Sequence, residues 1–188
     1  MFELLTLKNK NLWDSLVMSF KNYDVYYLSG YVESFELHGD GQPILIYYEN
    51  KKIRALSVMM KRDISLSSFY EKKISSGLYF DLITPYGYGG FLFEGELNDN
   101  ILREFKKLYI SFLKSKNIVS SFVRFHPVLN NAKILKPYFN ILDLGKTIDI
   151  NTETEEIIKS NIKSKDRNTI RRSIRDGVVI HHNGLCRG

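Results

Sequence analysis

Apolar residues recur along the chain at two spacings, three-to-four and two, and these divide it into alternating helices and strands. Leu12, Trp13, Leu16, Val17 and Phe20 fall at intervals of three and four and predict a first helix over 8–20. A second is predicted over about 25–37, stopped by His38-Gly-Asp-Gly41. Pro43 to Glu49 and Lys52 to Met60 read as two strands of a tight hairpin, with Asn50-Lys51 as the two-residue connection. A polar stretch with helical potential follows around 65–76, then a strand from Leu78 to Ile83 that runs into Thr84-Pro-Tyr-Gly-Tyr-Gly-Gly90.

The clearest helical pattern comes next. Ile101, Leu102, Phe105, Leu108, Tyr109, Phe112 and Leu113 form one stripe, with N-cap candidates in Asn98-Asp-Asn100 and basic residues at the end. Ile118 to Phe125 is the next strand, closed by His126-Pro127, so strand, helix and strand predict a right-handed parallel crossover. A short helix near 131–138 and one or two strands between 139 and 150 complete a first unit, residues 1–150. In 151–188, Thr152-Glu-Thr-Glu155 reads as a capping box for a helix to about Asp176, with Gly177 as its left-handed stop. Val178 to Ile180 then begins a strand. The fold class is mixed α/β, its sheet antiparallel at one end and parallel in the middle.

Composition narrows the function classes. The chain has 188 residues, 44% hydrophobic and 26% charged, the balance of a globular protein with a core. Its longest apolar run, Ile44 to Tyr48, is far below the roughly 20 residues of a membrane helix. Glu3 stands early and no basic-then-apolar leader follows, which predicts an intracellular, cytoplasmic protein. The single cysteine, Cys186, excludes an internal disulfide framework and a cysteine-based zinc site. Net charge is +6, and 151–188 carry eight basic and five acidic side chains, half of that excess. A basic excess suits phosphate-bearing partners, although it also suits an ordinary solvated surface.

Three segments could carry chemistry. In 84–90, Gly87, Gly89 and Gly90 permit close backbone approach, while Tyr86 and Tyr88 add stacking surface and hydroxyls. A turn between a strand and a helix is a usual ligand position in an α/β sheet, yet packing over the sheet edge explains these residues as well. Arg124 and His126 end the following strand, and His126 is either a base or ligand-holder or a hydrogen-bonded structural histidine. The third is the basic helix, in which Arg167, Arg171 and Arg175 repeat every four residues and could grip phosphates or face water. Asp81 and Glu94 flank the glycine turn without being placed face to face. His181 and His182 alternate in a strand and cannot chelate one ion together. Neither a phosphate-binding Gly-x-x-x-x-Gly-Lys loop nor a Gly-x-Gly-x-x-Gly run is present.

Asp81-Leu-Ile-Thr-Pro-Tyr-Gly-Tyr-Gly-Gly90, followed by Phe122-Val-Arg-Phe-His-Pro-Val-Leu-Asn130, resembles the N-terminal half of bacterial Fem-like proteins. These are peptidoglycan-bridge aminoacyltransferases of the cell wall, built from GNAT (N-acyltransferase) modules. Arg167 to Ile180 is similar to the helix and strand that follow in that family. The resemblance implies a GNAT-like mixed sheet flanked by helices, and transfer of an acyl or aminoacyl group to an amine of a peptidoglycan or glycan precursor. It implies acyl-CoA or aminoacyl-tRNA as donor substrate, without a resident cofactor or metal. Tyr86, Gly87, Tyr88, Gly89, Arg124, His126, Arg167 and Arg171 would contact a phosphate-bearing precursor. The acyl-CoA pyrophosphate pattern Gln/Arg-x-x-Gly-x-Gly/Ala is absent. Residues 151–188 would begin a second module and stop short of completing it, leaving the chain an incomplete enzyme that self-associates through 153–180 or leaves that tail disordered. The competing reading is a non-catalytic module that binds a nucleotide-sugar or other phosphate-bearing ligand.

Overall fold

Five uninterrupted apolar residues, Ile44 to Tyr48, need cover on both faces of a strand, and their neighbours supply it. We describe a computed structural model, which covers residues 1–70 and 73–180. Strands β1 (Phe2–Thr6), β2 (Gln42–Glu49), β3 (Ile53–Asp63) and β4 (Phe80–Ile83) pair antiparallel in that order. β5 (Leu92–Gly95) also pairs antiparallel with β3, and β6 (Ile118–Phe122) pairs parallel with β4. This six-stranded mixed sheet with helices on both faces agrees with the α/β class read from the sequence.

Alternate residues of β2 and β3 feed two cores. Ile44, Ile46, Tyr48, Ala55 and Met59 point to one face, where α3 (Asp99–Ser115) adds Ile101, Phe105 and Tyr109. Leu45, Tyr47, Leu56, Val58 and Met60 point to the other, under α1 (Lys10–Met18) and α2 (Ser29–His38), with Trp13, Val17, Phe20, Tyr27 and Val32. The predicted α3 stripe is buried at Ile101, Leu102, Phe105 and Tyr109, while Leu108 stays partly in water. Asn98 caps it by accepting from the Ile101 amide at 3.1 Å.

Several local expectations are corrected by specific bonds. The opening strand β1, unread in the sequence, forms because β2 offers a free edge over five registered pairs. The predicted helix over 25–37 is broken at Leu28, which is extended, leaving a 3-10 turn at Val25–Tyr27 before α2. The break is held by the Trp13 indole donating to the Tyr27 carbonyl and by Asp14 accepting from the Ser29 amide and hydroxyl. In the hairpin the connection is Lys51-Lys52, because the Asn50 side chain accepts from the Lys52 and Ile53 amides and so joins the turn as its first corner. Around 65–76 the described residues form only a 3-10 turn at Ile64–Leu66 and further turns. The short helix predicted near 131–138 is α4 (Ala132–Leu135); between 139 and 150 there is no strand, because Phe139 and Ile141 pack into the α3-side core and the following backbone has no ladder partner among the described residues.

The chain separates into two units, Met1–Asp143 and Leu144–Gly188. In the second, α5 (Glu155–Asn161) is capped by Thr154, whose hydroxyl accepts from Ile157, so the helix begins two residues later than the Thr152 box predicts. The predicted continuous helix is split at Ile162 and Lys163, both extended, before α6 (Ser164–Arg175). Gly177 takes φ +81° and ends α6, with its amide bonded to the Ile174 carbonyl and the Val178 amide to Ser173. Val178 to Ile180 are not in a strand. His181, His182 and Cys186 lie outside the described residues. Among the described residues no helix is long and apolar enough to cross a membrane.

Candidate functional site

The site is built where one strand is interrupted. β4 runs along the Met60–Asp63 half of β3 and β5 along its Ile53–Leu56 half, so residues 84–91 leave the edge of β3 and come back to it. The glycine-rich segment is therefore an excursion within a strand, and only β5 leads on to α3. Thr84 is the last residue before the excursion; its amide donates to the Phe122 carbonyl and its hydroxyl accepts from the Arg124 amide. Pairing resumes at Gly89, whose amide donates to the Arg124 carbonyl and whose carbonyl accepts from the His126 amide. Pro85 to Tyr88 loop out of the ladder between these two anchors, with Tyr86 the exposed one of the four. The Tyr86–Gly90 and Arg124–His126 segments are thus neighbours, joined by a parallel bridge between Gly89 and Phe125.

Each predicted site residue then has a definite place. Tyr86 stands 76% exposed at the tip, fixed by the Tyr31 hydroxyl donating to its carbonyl. Gly87, at φ +104°, lies so close under the Tyr26 ring that a Cβ would collide with it, which makes glycine obligatory twice over. Tyr88 turns away, edge-on to Tyr26 and against His126. Gly89 is buried in the ladder with ordinary φ, and a Cβ there would come within 2.8 Å of the Thr84 methyl.

His126 is buried and fully engaged. Its Nδ1 accepts from the Val128 and Leu129 amides, at 3.2 and 3.1 Å, which leaves the proton on Nε2, 3.3 Å from the Asp24 carboxylate. Both ring nitrogens are spent on the turn 126–129 and on the segment before α2, so this is a scaffold histidine. Beside it, Asn131 accepts from the His126 amide and donates to the Gly89 carbonyl and the Tyr27 hydroxyl. Burial holds the Tyr27 hydroxyl well above the usual phenol range, with the Asn131 bond opposing that shift. Asn131, Asp24 and Thr84 escaped the sequence reading; the one local signal was Asn130-Asn131 after a strand end.

A cleft of about 920 Å³ opens over β4 and β6. Its floor is Ile83 and Asp81 of β4, Phe122 of β6 and the adjoining Arg62 of β3. One wall is the β3–β4 connection, with Leu66, Tyr70 and Tyr79; Pro85, Tyr86 and Arg124 close the other end. Arg62 grips Asp81 with two bonds, 2.9 and 2.6 Å, and this hydrogen bonding raises the guanidinium further above its usual range. Asp63 accepts from the Ser65 amide and hydroxyl, the Ser76 hydroxyl and the Gly77 amide. These donors, Ser65 first, pull its carboxyl down to about 2 and staple both ends of the wall. Asp81 and Glu94, which flank the excursion in sequence, are held apart, since Glu94 is tied to Arg54.

Arg124 differs from the other charges of the cleft. Among the described residues its guanidinium makes one bond, a long one of 3.5 Å to the Gly87 carbonyl, and no carboxylate pairs with it. Guanidinium donors left free in this way are able to bind a phosphate or a carboxylate. In the second unit, Arg167 is committed to the carbonyls of Lys159 and Ser160 at the end of α5, while Arg171 is exposed on α6. No cluster of His, Cys, Asp or Glu among the described residues could hold a metal ion. Compared with known proteins, the chain matches no family model, and no curated protein or solved structure is detectably similar to it.

Proposed function

We propose that residues 1–143 form a GNAT-type substrate-binding module of a Fem-like acyl- or aminoacyltransferase, with the cleft at Tyr86 and Arg124 taking the phosphate-bearing part of a cell-envelope precursor. The observation that carries this reading is Arg124, the one cleft cation without a carboxylate partner among the described residues. Element order supports it: two helices after the first strand, an antiparallel run, then a strand–helix–strand parallel crossover beside the Tyr-Gly excursion.

The chemistry is attack of an amine lone pair on the donor's carbonyl carbon. The donor's ester or thioester bond breaks, and the amine loses a proton to a base. In this unit the chain's own groups bind and orient. Arg124 would anchor the anion, Tyr86 and Phe122 would pack against the attached group, and the Asp63 staple would hold the wall in place. Asp81 is committed to Arg62 and Asp63 to four donors, so neither is a free base. That same commitment favours the second reading, a non-catalytic module for a phosphate-bearing ligand. With donor substrate, the enzyme reading requires a base from outside this cleft.

Titration calorimetry with a UDP-linked peptide precursor, acyl-CoA and an aminoacyl-RNA mimic tests the binding claim. Arg124→Ala should weaken the preferred ligand about 10- to 100-fold, the worth of a charge-assisted hydrogen bond, with thermal stability unchanged. Equal affinity of the two proteins for every phosphate ligand would remove the proposal. Transfer of a labelled aminoacyl group then separates enzyme from binding module.

A further inference from the structure

We propose that the outer edge of β6 takes an extended segment of a partner protein as a further strand, with an acidic side chain of that segment against Arg124. The inference goes beyond the function proposed above: the two share Arg124, but this one stands on backbone groups that a phosphate ligand does not use. After the extra residue Val119 in the β4–β6 pairing, Ser120 to Phe122 match β4 one to one. The Phe122 carbonyl accepts from the Thr84 amide, the Arg124 amide donates to the Thr84 hydroxyl, and the Arg124 carbonyl accepts from the Gly89 amide. These groups face β4 and the excursion, so strand alternation turns the amides and carbonyls of Ser121 and Val123 the other way. β6 ends the strand order, and among the described residues no backbone group bonds to that side. Val119 to Phe122 are all exposed, and from Ile118 to Val123 there is neither a charged residue nor a proline. Sheet edges are commonly closed by such residues or by a covering element; this one is left open to another strand.

Charge and side-chain placement select the occupant. Ser120, Phe122 and Arg124 all line the cleft, so a strand added at this edge sets alternate side chains on the cleft side, beside the Phe122 ring, 56% exposed, and the Arg124 guanidinium. Antiparallel pairing, the more stable per residue, gives the order acidic-x-apolar, with the acid opposite Arg124 and the apolar residue opposite Phe122. Lys116 and Arg124 stand at the two ends of the strand, and neither has a carboxylate partner among the described residues. A second copy laid antiparallel on the same edge would bring the Arg124 end of one strand to the Lys116 end of the other, like charge to like charge. An acidic peptide meets the guanidinium with opposite charge and covers Phe122 as well. A phosphate alone would satisfy Arg124 and leave the Ser121 and Val123 amides in water.

The probe is an end-blocked, fluorescein-labelled hexapeptide, Thr-Glu-Thr-Val-Thr-Thr, titrated against the full chain by fluorescence polarisation. In this register the amide of the threonine between glutamate and valine points at β6, and the valine amide points away. N-methylation of that threonine should weaken binding about tenfold or more, while N-methylation of the valine should change it less than about twofold. Arg124→Ala should cost about two- to fivefold with this peptide and leave the affinity of its glutamine counterpart unchanged. In the complex, hydrogen exchange of the Ser121 and Val123 amides should slow, and that of Arg124, already bonded to Thr84, should change little. Ser121→Pro removes an outward donor and should abolish peptide binding, yet keep whatever affinity the cleft has for a phosphate ligand, which separates this proposal from the function above. Should melting curves show Ser121→Pro unfolded, the two N-methyl peptides decide on the unaltered chain. No binding at about 1 mM peptide, or equal loss from both N-methyl groups, overturns the proposal. So does a dimer in sedimentation that Ser121→Pro dissolves, since a second copy would then hold the edge.

Discussion

Truncating His126 to alanine separates a scaffold histidine from a catalytic one, because the two roles predict opposite pairs of results. The imidazole accepts from two part-buried amides, those of Val128 and Leu129, and faces Asp24 through Nε2. Water can reach these amides in part, so each lost acceptor costs toward the low end of about 1–3 kcal/mol, and the bond to a carboxylate adds about 1 kcal/mol. The side chain is only 6% exposed, so a small cavity is left as well. Together His126→Ala should lose about 3 kcal/mol. With a urea slope of about 2 kcal/mol/M the denaturation midpoint falls by about 1.5 M. His126→Asn restores an oxygen where Nδ1 accepted, the geometry of an Asx turn, and should recover about half of that loss. Equilibrium urea denaturation followed by far-UV circular dichroism reads both variants, with calorimetric ligand binding measured on the same samples. An alanine variant as stable as the parent but unable to bind ligand or transfer an acyl group would refute the reasoning and return His126 to the chemistry.

Three further outcomes follow from the packing. Phe105 is 1% exposed with the rings of Phe2, Tyr48, Phe91, Phe93 and Tyr109 around it, so Phe105→Ala should cost about 3–5 kcal/mol by denaturant titration. Gly89→Val places a branched side chain against Thr84 inside the ladder, and overpacking of about 1–3 kcal/mol should lower the melting temperature along with ligand affinity; loss of affinity alone would show Gly89 to be a binding residue. The Asp63 carboxyl is lower in the folded protein than its ordinary value of 3.8, so its contribution is full above about pH 4 and is lost as pH falls toward 2. Exchange of the Ser65 and Gly77 amide protons should accelerate across that window beyond the intrinsic rate, and Asp63→Asn should remove the step.

Several elements needed nothing beyond the chain itself. The α3 stripe, its Asn98 cap, the β2–β3 hairpin and the Gly177 stop depend on periodicity and on bonds spanning a few residues, and those were legible in order. The adjacency of Tyr86 and Arg124 could also be read, since a parallel crossover brings the carboxyl ends of its two strands side by side. What the side chains do there could not. His126 reads equally well as base or scaffold until Asp24, from before α2, and the 128–129 amides are seen around it. Gly89 reads as a ligand-loop glycine until the segment after β6 bridges to it at Phe125. Strand β1 owes its existence to the edge of β2 some 40 residues away, and the split at Leu28 owes its to Trp13 and Asp14. One or two strands were expected between 139 and 150, yet a strand needs a neighbour to accept its amides, and among the described residues the tertiary structure gives that stretch none.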